Sequence, residues 1–471
     1  MDSSSSHLSH IAIFPFMSKG HTIPLLHLAH LLHHRRLVSH ITFFTTPLNA
    51  PFIRSSLSLT AAQNTSIVAL PFPDNLPHDI PPGTESTDQL PSFDLFVPFV
   101  TIMPRLRPAF FQAISRFSPR PSLLISDGFL GWTQYVATEL SIPCLFFYGM
   151  GGFAQNVLRS VSIHKPHAEV SSPDEPFAVP GFPHLMLTKA DLEPPFDDPD
   201  PKGPLWDFVL EQTEATKGSR GFVMNSFYEL EQPYFDYMDK MGGNNYRVGP
   251  LCLARLGTDK KNQSQSPLLD WLDSRLSMNR PVLYVAFGTQ IKLSLIQMKE
   301  LATGLEWSGL DFIWVMRGEK SNWGDGFAER IGDRCRLVTE WVDQTEILAH
   351  KAVHGFISHC GWNSVMETLC AGVPVLAWPM IAEQRLNAKF VVEELKMGLR
   401  IRASDGTKDG LVEAAQIERL TIELLVGEEG KAAKKKAEEL AMAARRAMSE
   451  GGSSYVALEK MIRDVCVDLA S

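Results

Sequence analysis

Short apolar runs alternate with helical patterns in both halves of this chain, and that alternation restricts it to βαβ units built on parallel sheets. In the first half, residues 11–16 read as strand, 22–35 as helix and 41–46 as strand, and 123–126, 131–140 and 144–147 repeat that order. The second half does the same with strand 282–287, helix 294–307, strands 312–316 and 336–342, helix 345–350, strand 355–358, helix 364–370 and strand 373–378. From Gln416 the chain is Ala-, Lys- and Glu-rich, which predicts helix to the end, with an apolar face over 456–469. The fold class expected is α/β with two domains, 1–248 and 267–450, since 471 residues exceed what one core usually organises. The polar stretch 254–266 falls in the expected linker, 249–266, and the Pro-rich connections 71–92 and 180–204 are too long for simple turns.

A net charge of −9 leaves no positive field for nucleic acid or an anionic membrane, so the expected partners are small molecules. The six cysteines, Cys144, Cys252, Cys335, Cys360, Cys370 and Cys466, include no CxxC pair and read as reduced thiols. The first apolar run contains Pro15, follows no basic segment and ends in Ser18-Lys19-Gly20, which makes it a first strand rather than a signal peptide. No apolar stretch approaches the roughly 18 residues of a membrane span. A cytoplasmic protein without membrane insertion is therefore expected, and a monomer is the expected state.

Four strand ends carry candidate chemistry. Residues 355–364, GFISHCGWNS, form a strand, a loop and a helix start; Asn363 suits an N-cap, Ser364 adds a hydroxyl and Gly361 permits close approach. This is a phosphate-site layout, and equally the layout of any capped helix in an α/β protein. Strand 282–287 runs into Gly288-Thr289-Gln290, and strand 11–16 into Met17-Ser18-Lys19-Gly20-His21. Strand 123–126 ends in Asp127. If both strands share a sheet, His21 and Asp127 emerge on one rim as an imidazole and its carboxylate, although Asp127 also suits a turn or an N-cap.

Other patterns carry less. His30 and His34 have i, i+4 spacing that can bind zinc, but no HExxH joins them, so no metal is expected; His350 and His354 are separated by a helix end. Gly149-Met150-Gly151-Gly152 is only loosely a nucleotide loop, and no GxSxG element supports a serine hydrolase.

Residues 341–384, WVDQTEILAHKAVHGFISHCGWNSVMETLCAGVPVLAWPMIAEQ, closely resemble the signature box of the plant secondary-product glycosyltransferases, which use UDP-sugars. FPFMSKGHTIP, IPPGTESTDQLP, ISDGFLGWT and VLYVAFGT extend the resemblance over nearly the whole chain. It implies the GT-B fold, two Rossmann-like domains facing across a cleft, with the acceptor on the first and the donor on the second. It also implies that the last helix, 451–471, crosses back to the first domain. Trp341 would stack on uracil, the Val342 backbone would read its edge, Gln344 would reach the ribose and Glu367 would accept the ribose hydroxyls. His359, Asn363, Ser364 and Thr289 would hold the diphosphate, while Glu383, Gln384 and Trp362 would bind the sugar. His21 would be the catalytic base and Asp127 its partner. Lys19, Asp343 and Glu383 depart from the residues common in that family, which are Gln, Pro and Asp.

The expected function is inverting transfer of glucose from UDP-glucose, a co-substrate with no further cofactor, to a hydroxyl of a phenolic or flavonoid-type plant metabolite. Phe16, Met17, Gly20, Phe93 and Phe129, with Phe99 and Phe147 near them, are the expected acceptor side. An NAD(P)-dependent oxidoreductase would need a GxGxxG after its first strand, and none occurs. A sugar-nucleotide-binding protein that has lost catalysis is the other alternative, and His21 with Asp127 argues against it.

Overall fold

The computed structural model describes residues 7–57, 62–255, 266–316, 326–403 and 410–470. The strands, in chain order, are β1 (Leu8–Phe14), β2 (Val38–Thr45), β3 (Thr65–Ala69), β4 (Leu123–Asp127), β5 (Cys144–Tyr148), β6 (Phe177–Val179), β7 (Phe182–Leu187), β8 (Phe222–Met224), β9 (Asn245–Arg247), β10 (Val282–Ala286), β11 (Asp311–Val315), β12 (Cys335–Val338), β13 (Val353–Ser358), β14 (Val375–Ala377) and β15 (Gly398–Arg400). They build a seven-stranded sheet in the order β3-β2-β1-β4-β5-β8-β9, a six-stranded sheet in the order β12-β11-β10-β13-β14-β15, and the hairpin β6-β7. Every pairing in the two large sheets is parallel.

The chain divides into two compact α/β units. One holds the described residues of Met1–Asn156, Asp200–Asp259 and Arg446–Ser471, and the other those of Val157–Pro199 and Lys260–Arg445. The sequence places 157–199 with the first half, whereas here they group with the second unit. The expected loop 180–204 contains strand β7, which pairs with β6. Most of the expected linker, 256–265, lies outside the described residues.

Alternation along the first sheet sorts its side chains into two layers. Ala12, Phe14, Phe44, Leu124 and Phe146 pack with Phe110 and Trp132 on one face. Ile11, Ile13, Phe43, Ile125 and Leu145 pack on the other with Leu25, Leu28 and Leu32 of the helix Lys19–His34. Leu458, Met461, Ile462 and Val465 of the helix Ser453–Ala470 join that second layer. In the second unit, Leu283, Val285, Phe312, Trp314 and Ile357 face one side and Val282, Tyr284, Ile313 and Phe356 the other.

Element ends correct several expectations. The helix expected from Gln416 onward is three helices, Ala414–Val426, Glu428–Met448 and Ser453–Ala470. Gly427 closes the first in extended backbone, and Gly451 adopts φ +77°, a region that favours glycine. The strand expected over 336–342 stops at Val338, and Asp343 caps the next helix by accepting the Thr345 N–H at 3.1 Å.

Candidate active site

Each large sheet reverses its strand order once, between β1 and β4 in the first and between β10 and β13 in the second. A crevice at the carboxyl ends of the strands beside such a reversal is where doubly wound sheets bind ligands. The register aligns those ends, Phe14 with Ser126 and Ala286 with Ser358. All four strand ends singled out from sequence therefore lie at one of these two points.

In the first unit the chain turns after β1, with the Ser18 N–H on the Phe16 carbonyl at 2.7 Å, and the helix begins at Lys19. His21 thus sits in the first helical turn, directly after Gly20, rather than before the helix. Its Nδ1 lies 2.8 Å from Oδ2 of Asp127, the last residue of β4. The Asp127 side chain is 1% exposed and that of His21 22%. Oδ1 of Asp127 accepts the Phe129 N–H at 3.0 Å, so the carboxylate closes a turn and holds the imidazole at once. With the Nδ1 proton directed to Asp127, the Nε2 lone pair points away from the carboxylate, the tautomer a general base requires.

Aromatic rings flank His21. Phe16 meets it edge-on at 5.3 Å and Phe129 lies at 5.0 Å. Phe16 and Met17 are 1% and 2% exposed within the core, so they back this wall rather than form its surface. Phe93 stays 41% exposed and stacks on Phe96 at 5.3 Å. Phe96 and Phe208 lie 6.0 and 5.6 Å from Phe129. Sequence reasoning missed both, because nothing local distinguishes them from core phenylalanines. Phe99 and Phe147 are fully buried. Tyr148 packs against Gly128, where a Cβ would lie 2.6 Å from its ring, and burial pushes its phenol up to about 12.

In the second unit, helix Trp362–Ala371 follows β13 with Gly361, not Asn363, as its N-cap. Asn363 and Ser364 occupy the first turn, where the positive end of the helix dipole favours an anion. The imidazole of His359 is packed between glycines: a Cβ at Gly288 or Gly361 would lie 2.8 or 2.6 Å from its Nε2. Gly361 therefore makes room for a protein ring, a packing role its place in the motif does not reveal. Burial pushes the His359 pKa down to about 4, so near neutral pH it is an uncharged hydrogen-bonding group. Thr289 follows Gly288, which takes φ +76°.

A polar network continues from this helix. Gln344 Nε2 donates to Ser364 Oγ at 2.9 Å and to Glu367 Oε2 at 2.6 Å, and the Tyr284 hydroxyl donates to Gln344 Oε1 at 3.4 Å. Burial raises the Tyr284 pKa well above the ordinary phenol value. Trp341 is 59% exposed, and Val342 packs beneath on the core of Tyr284 and Phe356. On the other side, Gln384 Oε1 accepts the Met380 and Ile381 N–H groups at 3.0 and 3.1 Å, which fixes its amide plane. Asn387, unremarked in the sequence, donates to the Cys360 carbonyl at 3.0 Å and to Glu383 Oε1 at 3.2 Å. Cys360 and Ala382 hold φ of +61° and +54°, strained backbone in the loops that bear Trp362 and Glu383.

The remaining histidines stay outside these sites. The His30 and His34 rings stack at 6.4 Å, and among the described residues no three His, Cys, Asp or Glu side chains form a group that could hold a metal ion. No helix among the described residues is long and apolar enough to cross a membrane.

Comparison with known proteins gives one consistent result. Residues 255–418 match the family model described as UDP-glucoronosyl and UDP-glucosyl transferase. UDP-glycosyltransferase 90A1 of Arabidopsis thaliana is 44% identical over 98% of this chain and 97% of its own. UDP-glucose flavonoid 3-O-glucosyltransferase 7 of Fragaria ananassa is 33% identical over 99% and 98%. Among solved structures, Glycyrrhiza uralensis UGT73P12 complexed with glycyrrhetinic acid 3-O-monoglucuronide superposes with a TM-score of 0.84 at 30% identity, covering 98% of this chain and 96% of that one. Phytolacca americana UGT2 complexed with UDP-2fluoro-glucose and pterostilbene gives 0.78 at 29% identity, over 97% and 100%.

Proposed function

The chain belongs to the plant UDP-glycosyltransferases, enzymes of the GT-B fold, and from that premise we propose that it moves glucose from UDP-glucose to a hydroxyl of a small aromatic plant metabolite, giving a β-glucoside. The observation that carries this reading is the 2.8 Å contact of His21 with Asp127 at a strand-order reversal. A phenol or alcohol becomes an effective nucleophile as its proton leaves, and His21 Nε2 takes that proton. The acceptor oxygen forms its bond to the anomeric carbon from the face opposite UDP, and the bond from that carbon to the diphosphate oxygen breaks with its electrons on UDP. One displacement inverts the anomeric centre. Asp127 keeps the imidazole oriented and stabilises the imidazolium as it forms.

Trp341, Val342, Gln344 and Glu367 are the proposed nucleoside contacts. Thr289, His359, Asn363 and Ser364 are those of the diphosphate, and Trp362, Glu383 and Gln384 those of the hexose. Glucose is favoured over galactose and glucuronate because an unmatched buried hydroxyl costs about 1–3 kcal/mol. The aromatic rings that run from His21 through Phe129 and Phe96 to Phe93 suit a flat phenolic guest. Incubation with UDP-glucose, UDP-galactose or UDP-glucuronate and a panel of flavonoids, simple phenols, coumarins and terpene alcohols tests both choices. A hexose mass gain strongest with UDP-glucose and phenolic acceptors is expected. Equal rates with all three donors would remove the sugar assignment.

A further inference from the structure

The helix Gln384–Lys389 runs on into a π-helical segment, Phe390–Glu394, and the whole stretch 384–394 is still shorter than the roughly 12–15 residues a helix needs to hold itself without tertiary contacts. One side of it, Gln384 and Asn387, holds the loops 380–383 and 360 described above. Arg385 and Lys389, at i and i+4, share a different side. There they meet the segment after β7: Arg385 Nε donates to Glu193 Oε1, and Lys389 Nζ lies 3.7 Å from Asp191 Oδ2. The Arg385 and Glu193 side chains are 9% and 17% exposed, so this is a largely buried pair. Removing one member of such a pair loosens the hold on the other and lets it move.

The acidic segment is itself fixed. Asp191 Oδ2 accepts the Thr188 N–H at 3.0 Å, and Leu192, between the two acids, is fully buried. From the opposite direction Arg400 Nη1 donates to the Arg385 carbonyl at 3.4 Å. Arg385 is thereby gripped at both side chain and backbone, one residue after Gln384.

We infer that Glu193, assisted by Asp191, is a positioning residue for the donor sugar. The strap 188–193 locks the Gln384–Lys389 helix in the rotation at which Glu383 and Gln384 meet the hexose, while the nucleoside contacts on Trp341, Gln344 and Glu367 are independent of it. This rests on the donor reading above. It makes sugar recognition depend on a segment almost two hundred residues earlier in the chain, outside the signature box.

The test compares UDP-glucose with UDP, which lacks the hexose. In Glu193→Gln the KM for UDP-glucose rises about tenfold and the preference for UDP-glucose over UDP-galactose narrows, while the Kd for UDP by calorimetry stays within about twofold. In a Gln384→Ala background the same change adds little, since both act through one contact. Asp191→Asn, a milder change, shifts KM in the same direction by less and serves if Glu193→Gln folds poorly. Parallel weakening of UDP and UDP-glucose would overturn the inference, because that is general destabilisation. An unchanged KM in both variants would overturn it too. Wild-type protein that binds UDP but transfers no hexose would instead overturn the donor reading itself.

Discussion

His21 and Asp127 stand 106 residues apart in sequence, and Nδ1 of one lies 2.8 Å from Oδ2 of the other. The strand order brings them together: β1 and β4 are neighbours, the first helical turn follows one and Asp127 ends the other. The second unit repeats the device at β10 and β13, where Gly288 and His359 come into contact. One topology thus serves twice, placing the proposed proton-accepting pair at one reversal and the proposed diphosphate-binding helix start at the other.

The packing of His359 sets a sharp contrast between glycines. A Cβ at Gly361 would lie 2.6 Å from His359 Nε2, whereas one at Gly149 would lie 3.8 Å from the His21 ring, an ordinary contact. Overpacking costs about 1–3 kcal/mol, so Gly361→Ala is expected to weaken UDP binding roughly tenfold or more. Gly149→Ala should leave it unchanged. Calorimetric titration with UDP checks both, and equal affinities in the two variants would contradict this role for Gly361.

Metal independence follows from the proposed diphosphate contacts. Charge growing on UDP can be stabilised by the start of the helix Trp362–Ala371, with Asn363, Ser364, Thr289 and His359 as donors. Transfer should therefore persist in excess EDTA. A loss restored only by Mg²⁺ or Mn²⁺ would count against the diphosphate site.

Histidines buried wholly or in part tie stability to pH. Burial, and secondarily the neighbouring His40, push the His10 pKa down to about 4, and burial lowers those of His33 and His40. An unfolded histidine titrates near 6.5, so below that pH the unfolded chain binds protons the folded chain refuses. The stabilisation is complete above about 6.5 and is lost as pH falls toward about 4. Tm should drop between pH 7 and pH 5, and less steeply in His10→Gln, whose amide can keep the 2.8 Å contact to Thr42. Identical slopes by scanning calorimetry would contradict it.

The strands β1, β4, β5, β10, β11 and β13 were legible because they are apolar runs buried on both faces. The short strands β8, β9 and β15, each three residues long, leave no such run and depend on their neighbours. Among the proposed site residues, those at strand ends could be picked out from position and chemistry, as with His21, Asp127 and Ser364. Phe96, Phe208, Asn387 and Glu193 could not, since each acquires its place through a contact with a distant segment. Asp343 shows the same limit: a departure from the family pattern in sequence, it is a helix cap in space.

The central claim is that His21 and Asp127 act as one unit on the acceptor proton. It is tested most directly by turnover of His21→Ala, Asp127→Ala and the double variant, with UDP-glucose and a weakly acidic alcohol whose own ionisation cannot mask a loss. His21→Ala should lose on the order of 10²–10⁴-fold in kcat with UDP affinity retained, and the two changes should combine less than additively. Near-wild-type turnover in His21→Ala, or fully additive losses in the pair, would contradict the account.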